Sequence, residues 1–423
     1  MKKQNLVAIL AVGMTLATSW AVRGQFGHEQ GAAWAGGIGA LALVLISKRN
    51  DWLQKIFPVA LASALGWGMT GMISYGAVVG YGRADNYPNA FYGLLMLFVI
   101  GGLFGLIGGG LTGLSLESSQ NKKVKWENLV VQMVAGGIIF YSFLVEQIGV
   151  LMTPPRAENW AVSLGAGLAM LWFMVRNEYR SSLRVALITS LGAGFGFAFG
   201  NFLQTVGTTL QINFNFWNVM EYSIGFFGGT SLAYAVFTSR WPDTSAESKD
   251  WKNRFALLFL AVFIPFIVFR ESLGISSLTG QMTALHNAEQ VAELTRWVAA
   301  IVIALFILST WVIIRIKGYG EKFPKLFFAG FFGLYIILSY LKTGVLGGQF
   351  LLTHQLYVVN YAIIFILIGI AGTPFPESGL IGKTDFAKYK IWFLGILIFI
   401  ALLALISISI HDGLPGANYR FTV

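Results

Sequence analysis

The chain has 423 residues, of which 56% are hydrophobic and only 11% are charged, and its mean hydropathy is +0.68. Soluble globular domains carry about 25% charged residues, so the composition excludes an ordinary water-soluble protein. The net charge of +10 does not indicate nucleic-acid binding, because the basic residues lie in short connectors between apolar segments. The chain has no cysteine, which excludes thiol chemistry, and its four histidines are too few for a His-rich metal site.

Apolar segments long enough to cross a hydrocarbon core of about 30 Å as helices recur along the whole chain. We therefore predict an all-α fold, a polytopic transmembrane bundle of about 13 helices. The predicted helices are residues 5–22, 31–47, 57–81, 91–116, 129–152, 160–175, 183–206, 217–238, 254–269, 295–316, 326–345, 349–371 and 391–410.

The distribution of Lys and Arg predicts the orientation of this bundle. With the N-terminus inside, 22 of the 29 basic residues lie in cytoplasmic segments, as the positive-inside rule requires. We expect a multi-pass protein of the bacterial inner (plasma) membrane, with its N-terminus inside and its C-terminus outside. As an alternative, helix 1 is a cleavable secretory signal, because Lys2 and Lys3 precede its apolar core and residues 19–21 resemble a cleavage site.

A repeated pattern predicts the internal organisation. A Trp-Ala pair followed by a Gly-Ala pair, at residues 34–40, returns 126 residues later at 160–166, and residues 63–68 return as 189–194. Four helices separate the copies, so we predict tandem parallel four-helix repeats. The predicted parts are residues 1–118 and 119–240 as the two repeats, 241–252 as a cytoplasmic linker, 253–372 as a possible divergent third unit, and 373–423 as a cytoplasmic loop, final transmembrane helix and outer tail.

Glycine runs occur in predicted helices 3, 4, 7 and 8. Small residues at helical spacing allow helix backbones to approach each other closely where lipid supplies no hydrophobic driving force. We favour this packing interpretation over the alternative, in which glycine breaks a helix that lines a ligand site.

A polar interruption at residues 20–32 separates the first two apolar segments and carries several charged groups between glycines. Charges at a membrane boundary are costly unless they are paired or hydrated, so we predict a water-accessible site on the outer face. The predicted ligand-binding residues are Arg23, Gln25, His28, Arg83 and Arg270, and the predicted ion-coupling residues are Glu29, Glu146, Glu221 and Glu271.

The first predicted helix of each unit ends in charge, at Arg23, at Glu146 and at Arg270-Glu271. If the units surround a pseudo-symmetric axis, these charges meet in a central outer cavity. The alternative is that they form structural ion pairs or reach to the membrane interface.

The sequence lacks a phosphate-binding loop, and no segment is large enough for a nucleotide-binding domain. The leading hypothesis is an ion-coupled secondary transporter of a small polar solute, anionic or sugar-like, with the lipid bilayer and the solute as partners and no nucleic acid. One alternative is a membrane-embedded enzyme acting at the periplasmic face on a lipid-linked or glycan substrate, with His28, Glu29 and Glu221 as acid–base residues. Another is a structural subunit of a membrane complex that docks through helix 13 and residues 412–423. Membrane-protein partners and a homo-oligomer are both compatible with the sequence, and no motif indicates a cofactor.

Overall fold

The computed structural model describes residues 3–241, 250–318, 320, 322–372 and 386–422, and all regular secondary structure in these ranges is helical. The α-helices are α1 Lys3–Arg23, α2 His28–Ser47, α3 Asn50–Leu53, α4 Ile56–Gly71, α5 Gly76–Tyr81, α6 Tyr87–Glu117, α7 Trp126–Phe140, α8 Asn159–Arg176, α9 Arg180–Thr209, α10 Phe216–Phe237, α11 Asp250–Leu258, α12 Ile264–Ser272, α13 Ile275–Gln281, α14 Ala288–Lys317, α15 Phe323–Lys342, α16 Leu352–Ile370 and α17 Phe386–Ser409. Two π-helical segments, Tyr141–Gln147 after α7 and Phe259–Phe263 between α11 and α12, and one 3-10 turn, Val345–Gly347, complete the set.

The prediction of an all-helical membrane protein is confirmed at this level. Among the described residues, ten helices are long and apolar enough to cross a membrane, which indicates a multi-pass membrane protein. A helix forms at each of the 13 predicted segments. The number that cross the bilayer, the orientation and the repeat architecture stay predictions. One segment was predicted wrongly: residues 57–81 are not one helix, because α4 ends at Gly71 and α5 begins only at Gly76.

Six helices form a closed ring at the centre of the fold. Around the ring, α1 packs on α2, α2 on α4, α4 on α6, α6 on α9, α9 on α10, and α10 returns to α1. We call the end of the ring where α1 stops the Arg23 end. In the most apolar stretch of α2, 89% of the residues are buried, against 17% in α14. The ring is therefore the core of the fold. Its helices run alternately toward and away from the Arg23 end.

The remaining helices lie outside this ring. Helices α11, α12, α15 and α16 contact α1, α2 or α4, while α17 lies against α6 and α9. The α7–α8 pair makes most of its contacts internally. The second predicted repeat thus contributes only its last two helices, α9 and α10, to the ring. This arrangement contradicts the expectation that the first helix of each unit lines a common central cavity.

Close backbone packing holds the ring together, as the favoured interpretation of the glycine runs predicted. A Cβ atom added at Gly105 would lie 2.2 Å from the Thr189 carbonyl oxygen, and one at Gly225 would lie 2.5 Å from the Leu16 carbonyl oxygen. Any side chain larger than hydrogen would push these helices apart.

The indole of Trp67 lies in the middle of the ring, among glycines of three other ring helices. A Cβ atom added at Gly36 or Gly108 would lie 2.6 or 2.5 Å from this ring, and one at Gly228 would lie 3.2 Å from it. These glycines come from α2, α6 and α10, so three ring helices make room for one side chain of α4. The centre of the ring is therefore closely filled.

Most of the predicted linker 241–252 and part of the predicted segment 373–423 lie outside the described residues, at 242–249 and 373–385. The described remainder of the latter segment contains α17 and residues 410–422, which we call the C-terminal tail. The tail returns to the Arg23 end, where the main-chain N–H of Asn418 donates to the Gly80 carbonyl at 3.0 Å. The domain boundaries stay predictions.

Candidate functional site

A cavity of about 720 Å³ opens at the Arg23 end of the ring. We call it the Arg23 cavity. It lies where α1 stops and α2 starts, under the loop that joins α4 to α5 and beside the first turns of α10. Its lining residues are Ala21, Arg23, Gly24, Gln25, Gly27, His28, Ser74, Tyr75, Gly76, Ala77, Pro155, Arg156, Asn215, Trp217, Asn218, Glu221 and Asn418.

The turn between α1 and α2 brings the first polar groups into this cavity. The amides of Gln25 and Phe26 donate back to the carbonyls of Val22 and Arg23 at 3.0 and 2.9 Å, which ends α1. Gly27 follows with φ of +89°, a backbone conformation that favours glycine. The chain therefore reverses within four residues and places Arg23 and His28 side by side at the cavity.

Arg23 forms a buried ion pair with Glu221 of α10. Its Nη1 atom lies 2.7 Å from Glu221 Oε2, and the two side chains are 1% and 8% exposed. The hydroxyl of Tyr75 donates to Glu221 Oε1 at 2.6 Å and accepts from Arg23 Nη1 at 3.2 Å. Both oxygens of the carboxylate are thus bonded, and two ring helices and one loop meet at this group.

His28 completes the network on the other side of the guanidinium. Its Nδ1 atom lies 2.9 Å from Arg23 Nη2. Since a guanidinium only donates hydrogen bonds, Nδ1 accepts, and a neutral His28 then carries its proton on Nε2. Beneath this pair, the Arg23 guanidinium carbon lies 4.9 Å from the centre of the Trp20 ring.

The interruption between α4 and α5 positions Tyr75. A Cβ atom added at Gly71 would lie 2.3 Å from the His28 carbonyl oxygen, so the last turn of α4 packs directly on the start of α2. The four residues that follow Gly71 leave the helical path and direct Tyr75 into the ring. Tyr75 lies in this loop, and burial raises the pKa of its hydroxyl, so the group stays protonated and acts as a donor.

Asn218 holds the α10 side of the cavity against the end of α1. Its Nδ2 atom donates to the Ala21 carbonyl at 3.1 Å, and the Tyr357 hydroxyl of α16 donates to the same carbonyl at 3.2 Å. Asn218 Nδ2 also donates to Tyr357 Oη. A main-chain carbonyl at the end of α1, which has no partner within its own helix, is thereby bonded to two side chains.

Aromatic side chains close the cavity toward the middle of the ring. The Trp20 and Trp67 rings meet edge to face with centroids 5.0 Å apart, and Phe104 lies 5.5 Å from Trp20. Phe197 continues the cluster at 6.0 Å from Phe104 and 5.0 Å from Tyr75. These contacts place an apolar floor under the charged network.

The rim of the cavity carries additional positive charge and part of the C-terminal tail. Arg156 and Trp217 line the cavity, and the Arg83 guanidinium carbon lies 5.4 Å from the Trp217 ring centre. Arg83 Nη1 also donates to the Pro415 carbonyl of the tail at 3.1 Å, and Asn418 of the tail lines the cavity. With Arg23 and Arg156 against Glu221, the charged lining is net positive, which favours an anionic ligand.

The structure brings four of the nine predicted site residues to this cavity: Arg23, Gln25, His28 and Glu221. Arg83 lies behind Trp217 at the rim. Glu29 is exposed one residue beyond His28 and does not line the cavity.

Glu146, Arg270 and Glu271 also lie outside the cavity. Glu146 is exposed on the π-helical segment after α7, outside the ring. Arg270 lies 3.5 Å from Glu271, and these side chains are 74% and 56% exposed. The expected convergence of these charges does not occur, because their helices are not ring helices.

Several cavity residues are absent from the sequence-based prediction: Tyr75, Asn215, Trp217, Asn218 and Asn418. The glycines at 71 and 76 were a signal for Tyr75, because they bracket the segment where the predicted third helix is broken. Nothing in the local sequence marks Asn418, which reaches the site from the far end of the chain.

No group of three or more His, Asp or Glu side chains that could hold a metal occurs in the described part of the chain. Comparison of the chain with protein-family models, with curated proteins and with solved structures gave no match. The functional interpretation therefore depends on the Arg23 cavity itself.

Proposed function

We propose that the chain is an ion-coupled secondary transporter of a small polar solute, anionic or sugar-like, and that the Arg23 cavity binds this solute. The observation that carries the proposal is the nearly fully buried guanidinium of Arg23 at the base of a cavity that is open to one side. A buried cation in a membrane protein is costly, and the fact that this one lines an open cavity supports a role in binding a solute. The net positive lining supports an anionic solute.

The size and polarity of the cavity support a solute with several hydrogen-bonding groups. About 720 Å³ lies within the usual range for small-molecule sites. Four carboxamide side chains, those of Gln25, Asn215, Asn218 and Asn418, line it together with Trp217. Carboxamides both donate and accept hydrogen bonds, which suits hydroxyl-rich molecules such as sugar acids.

We place the protein in a bacterial inner membrane with the Arg23 end outside, because the positive-inside rule favours this orientation. We also propose that α1–α6 and α7–α10 derive from one duplicated unit. In support, α4 packs on α6 in the first part of the chain, and α9, its counterpart, packs on α10 in the second. The orientation is tested in intact cells by labelling single cysteines at residues 156 and 123 with a membrane-impermeant reagent. Label on residue 123 alone would contradict the proposed orientation.

Uptake into sealed liposomes tests transport directly. The purified chain is reconstituted, and uptake of a panel of sugars, sugar acids and amino acids is measured under an imposed proton or sodium gradient. Arg23→Gln should abolish the uptake, whereas Arg270→Gln removes an exposed arginine outside the cavity and should leave it unchanged. Equal uptake by both variants would contradict the proposed site.

A second candidate is a membrane-embedded enzyme that acts at the outer face on a lipid-linked or glycan substrate. The aromatic floor favours this alternative, because it closes the cavity toward the other end of the ring. His28 and Glu221 would then be the acid–base pair, without Glu29. Chemical change of a panel member without uptake would support catalysis, and a protein that neither transports nor converts any of them would fit the structural-subunit alternative.

A further inference from the structure

The carboxylate of Glu221 occupies the place that an anionic solute needs. Arg23 Nη1 is bonded to Glu221 Oε2 at 2.7 Å, and Arg23 Nη2 is bonded to His28 Nδ1 at 2.9 Å. Arginine binds carboxylates best through two parallel N–H bonds. A solute carboxylate bonds to Arg23 Nη1 in this way only by replacing Glu221 Oε2.

Replacement of Glu221 leaves a second carboxylate beside the first. Glu221 is 6% exposed and belongs to a ring helix, so after displacement it stays at the base of the cavity. Two carboxylates near one guanidinium repel each other, and a buried charge without its partner is strongly unfavourable. Protonation of Glu221 removes both penalties, since the neutral acid needs no cation.

Tyr75 is placed to hold the protonated acid. Its hydroxyl bonds to Glu221 Oε1 at 2.6 Å, and it also accepts from Arg23. A protonated carboxyl has one donor and keeps acceptor capacity on its other oxygen. Tyr75 therefore serves as donor to the carboxylate and to the acid alike, and the network stays bonded in both states.

From these contacts we infer that the solute is a carboxylate, that it displaces Glu221 from Arg23, and that Glu221 takes up one proton as the solute binds. The solute carboxylate forms the bonds to Arg23 that the Glu221 carboxylate gives up, and a proton from solution goes to Glu221. One negative charge and one positive charge are added together, so the net charge of the site does not change. This inference rests on the proposed transport of a small anion, and it makes the proton the coupling ion and Glu221 the coupling residue.

The other groups that face Glu221 define the controls. They are Arg23 of α1, His28 of α2, Tyr75 of the α4–α5 loop, Arg156 before α8, Tyr335 of α15 and Tyr357 of α16. Of these, histidine alone ordinarily titrates between pH 5 and 8. A His28→Gln variant therefore separates a proton bound at Glu221 from one bound at the imidazole.

The test uses acetate as the carboxylate probe and acetamide as its neutral counterpart, with the full chain in lipid nanodiscs. Calorimetry in two buffers of different ionisation enthalpy counts the protons taken up on acetate binding. We expect one proton per acetate, a Kd that rises about tenfold per pH unit wherever one proton is taken up on binding, and no binding of acetamide. Glu221→Gln mimics the protonated acid, so its Kd for acetate should not change with pH, whereas His28→Gln should keep the wild-type slope.

A second variant covers the case in which Glu221→Gln does not fold well. Glu221→Ala removes the internal carboxylate, and acetate from solution should then restore the melting temperature in proportion to its concentration. Sodium chloride at equal ionic strength and acetamide should not. Acetate binding without proton uptake, an unchanged pH slope in Glu221→Gln, or the same recovery with chloride as with acetate would each overturn the inference.

These results are separable from the test of transport. Proton-linked acetate binding without any gradient-driven uptake in liposomes would uphold the exchange at Glu221 and contradict the proposed function. Uptake that keeps its proton dependence in Glu221→Gln would uphold transport and overturn the role of Glu221.

Discussion

The ion pair between Arg23 and Glu221 should contribute more to the stability of the fold than any exposed pair in the described chain. We predict the effect of replacing Arg23 with Met, which keeps most of the apolar stem and removes the charge. The guanidinium bonds to Glu221, Tyr75 and His28, and the two side chains of the ion pair are 1% and 8% exposed. Removal of one partner leaves an uncompensated buried carboxylate, which typically costs about 3–5 kcal/mol.

A double-mutant cycle isolates the pair from the effects of each single change. Glu221→Gln alone leaves Arg23 without its counter-charge, while the double variant leaves neither charge behind. The double variant should therefore be less destabilised than the sum of the single variants, by about 2–3 kcal/mol. The matched control is Arg270→Met with Glu271→Gln, a pair at 3.5 Å whose side chains are 74% and 56% exposed. Such a pair contributes about 0–1 kcal/mol.

Equilibrium unfolding in mixed micelles, with the denaturing detergent fraction varied, measures these free energies. A loss within about 1 kcal/mol for Arg23→Met, equal to that of the exposed pair, would refute the reasoning. So would additive losses in the cycle, because additivity means that the two groups do not interact.

The remaining predictions concern the tail, the rim and the ring. Asn89 bonds to the main chain of residues 420 and 421 three times, at 2.6–3.0 Å, so Asn89→Ala should speed proteolysis of the tail at least tenfold and weaken solute binding beside Asn418. Arg156→Gln should slow association of anionic solutes about tenfold at low salt, with little effect at high salt and none on melting. Gly108→Ala places a methyl 2.5 Å from the central indole and should cost about 1–3 kcal/mol of unfolding free energy, whereas Gly102→Ala, 3.3 Å from a serine hydroxyl, should be tolerated. Equal stability of the two alanine variants would show that the glycine contacts in the ring are not tight.

The sequence allowed prediction of the helices and of one half of the site. Arg23 and His28 lie beside glycines at the end of an apolar segment. A charge at this position is tolerated only if it is hydrated or paired with another group. Local sequence could not identify that partner. Glu146 and Glu221 both fall inside predicted helices, yet only Glu221 lies on a ring helix and meets Arg23, 198 residues away. Which of the two carboxylates meets Arg23 is decided by how the helices pack, and local sequence does not show this packing.

The broken third helix shows a second limit of the pattern. Residues 57–81 are apolar enough to be predicted as one membrane-spanning helix. Hydropathy gives no information on the contact between Gly71 and the His28 carbonyl, where α4 ends. Helix α9, which the proposed duplication pairs with α4, runs unbroken from Arg180 to Thr209. Two segments with related sequences therefore differ at the one place where the loop supplies Tyr75 to the site. The break between α4 and α5 thus supplies one wall of the cavity, at residues 74–77.

The arrangement of polar and apolar groups along the ring limits how a solute could pass through it. Below the charged network the interior holds Trp20, Trp67 and Phe104, with glycine backbones around the central indole. Transport thus requires that the contact between Trp20 and Trp67 opens, while an enzyme at the cavity requires no such opening. Since glycine surfaces carry no interlocking side chains, helices that meet through them slide past each other with less steric resistance than interdigitated ones. If the chain is a transporter, smaller side chains at position 67 should therefore increase the passage of the solute. If it is an enzyme, they should lower the stability of the fold without increasing activity. Substitution of Trp67 thus distinguishes the two proposals.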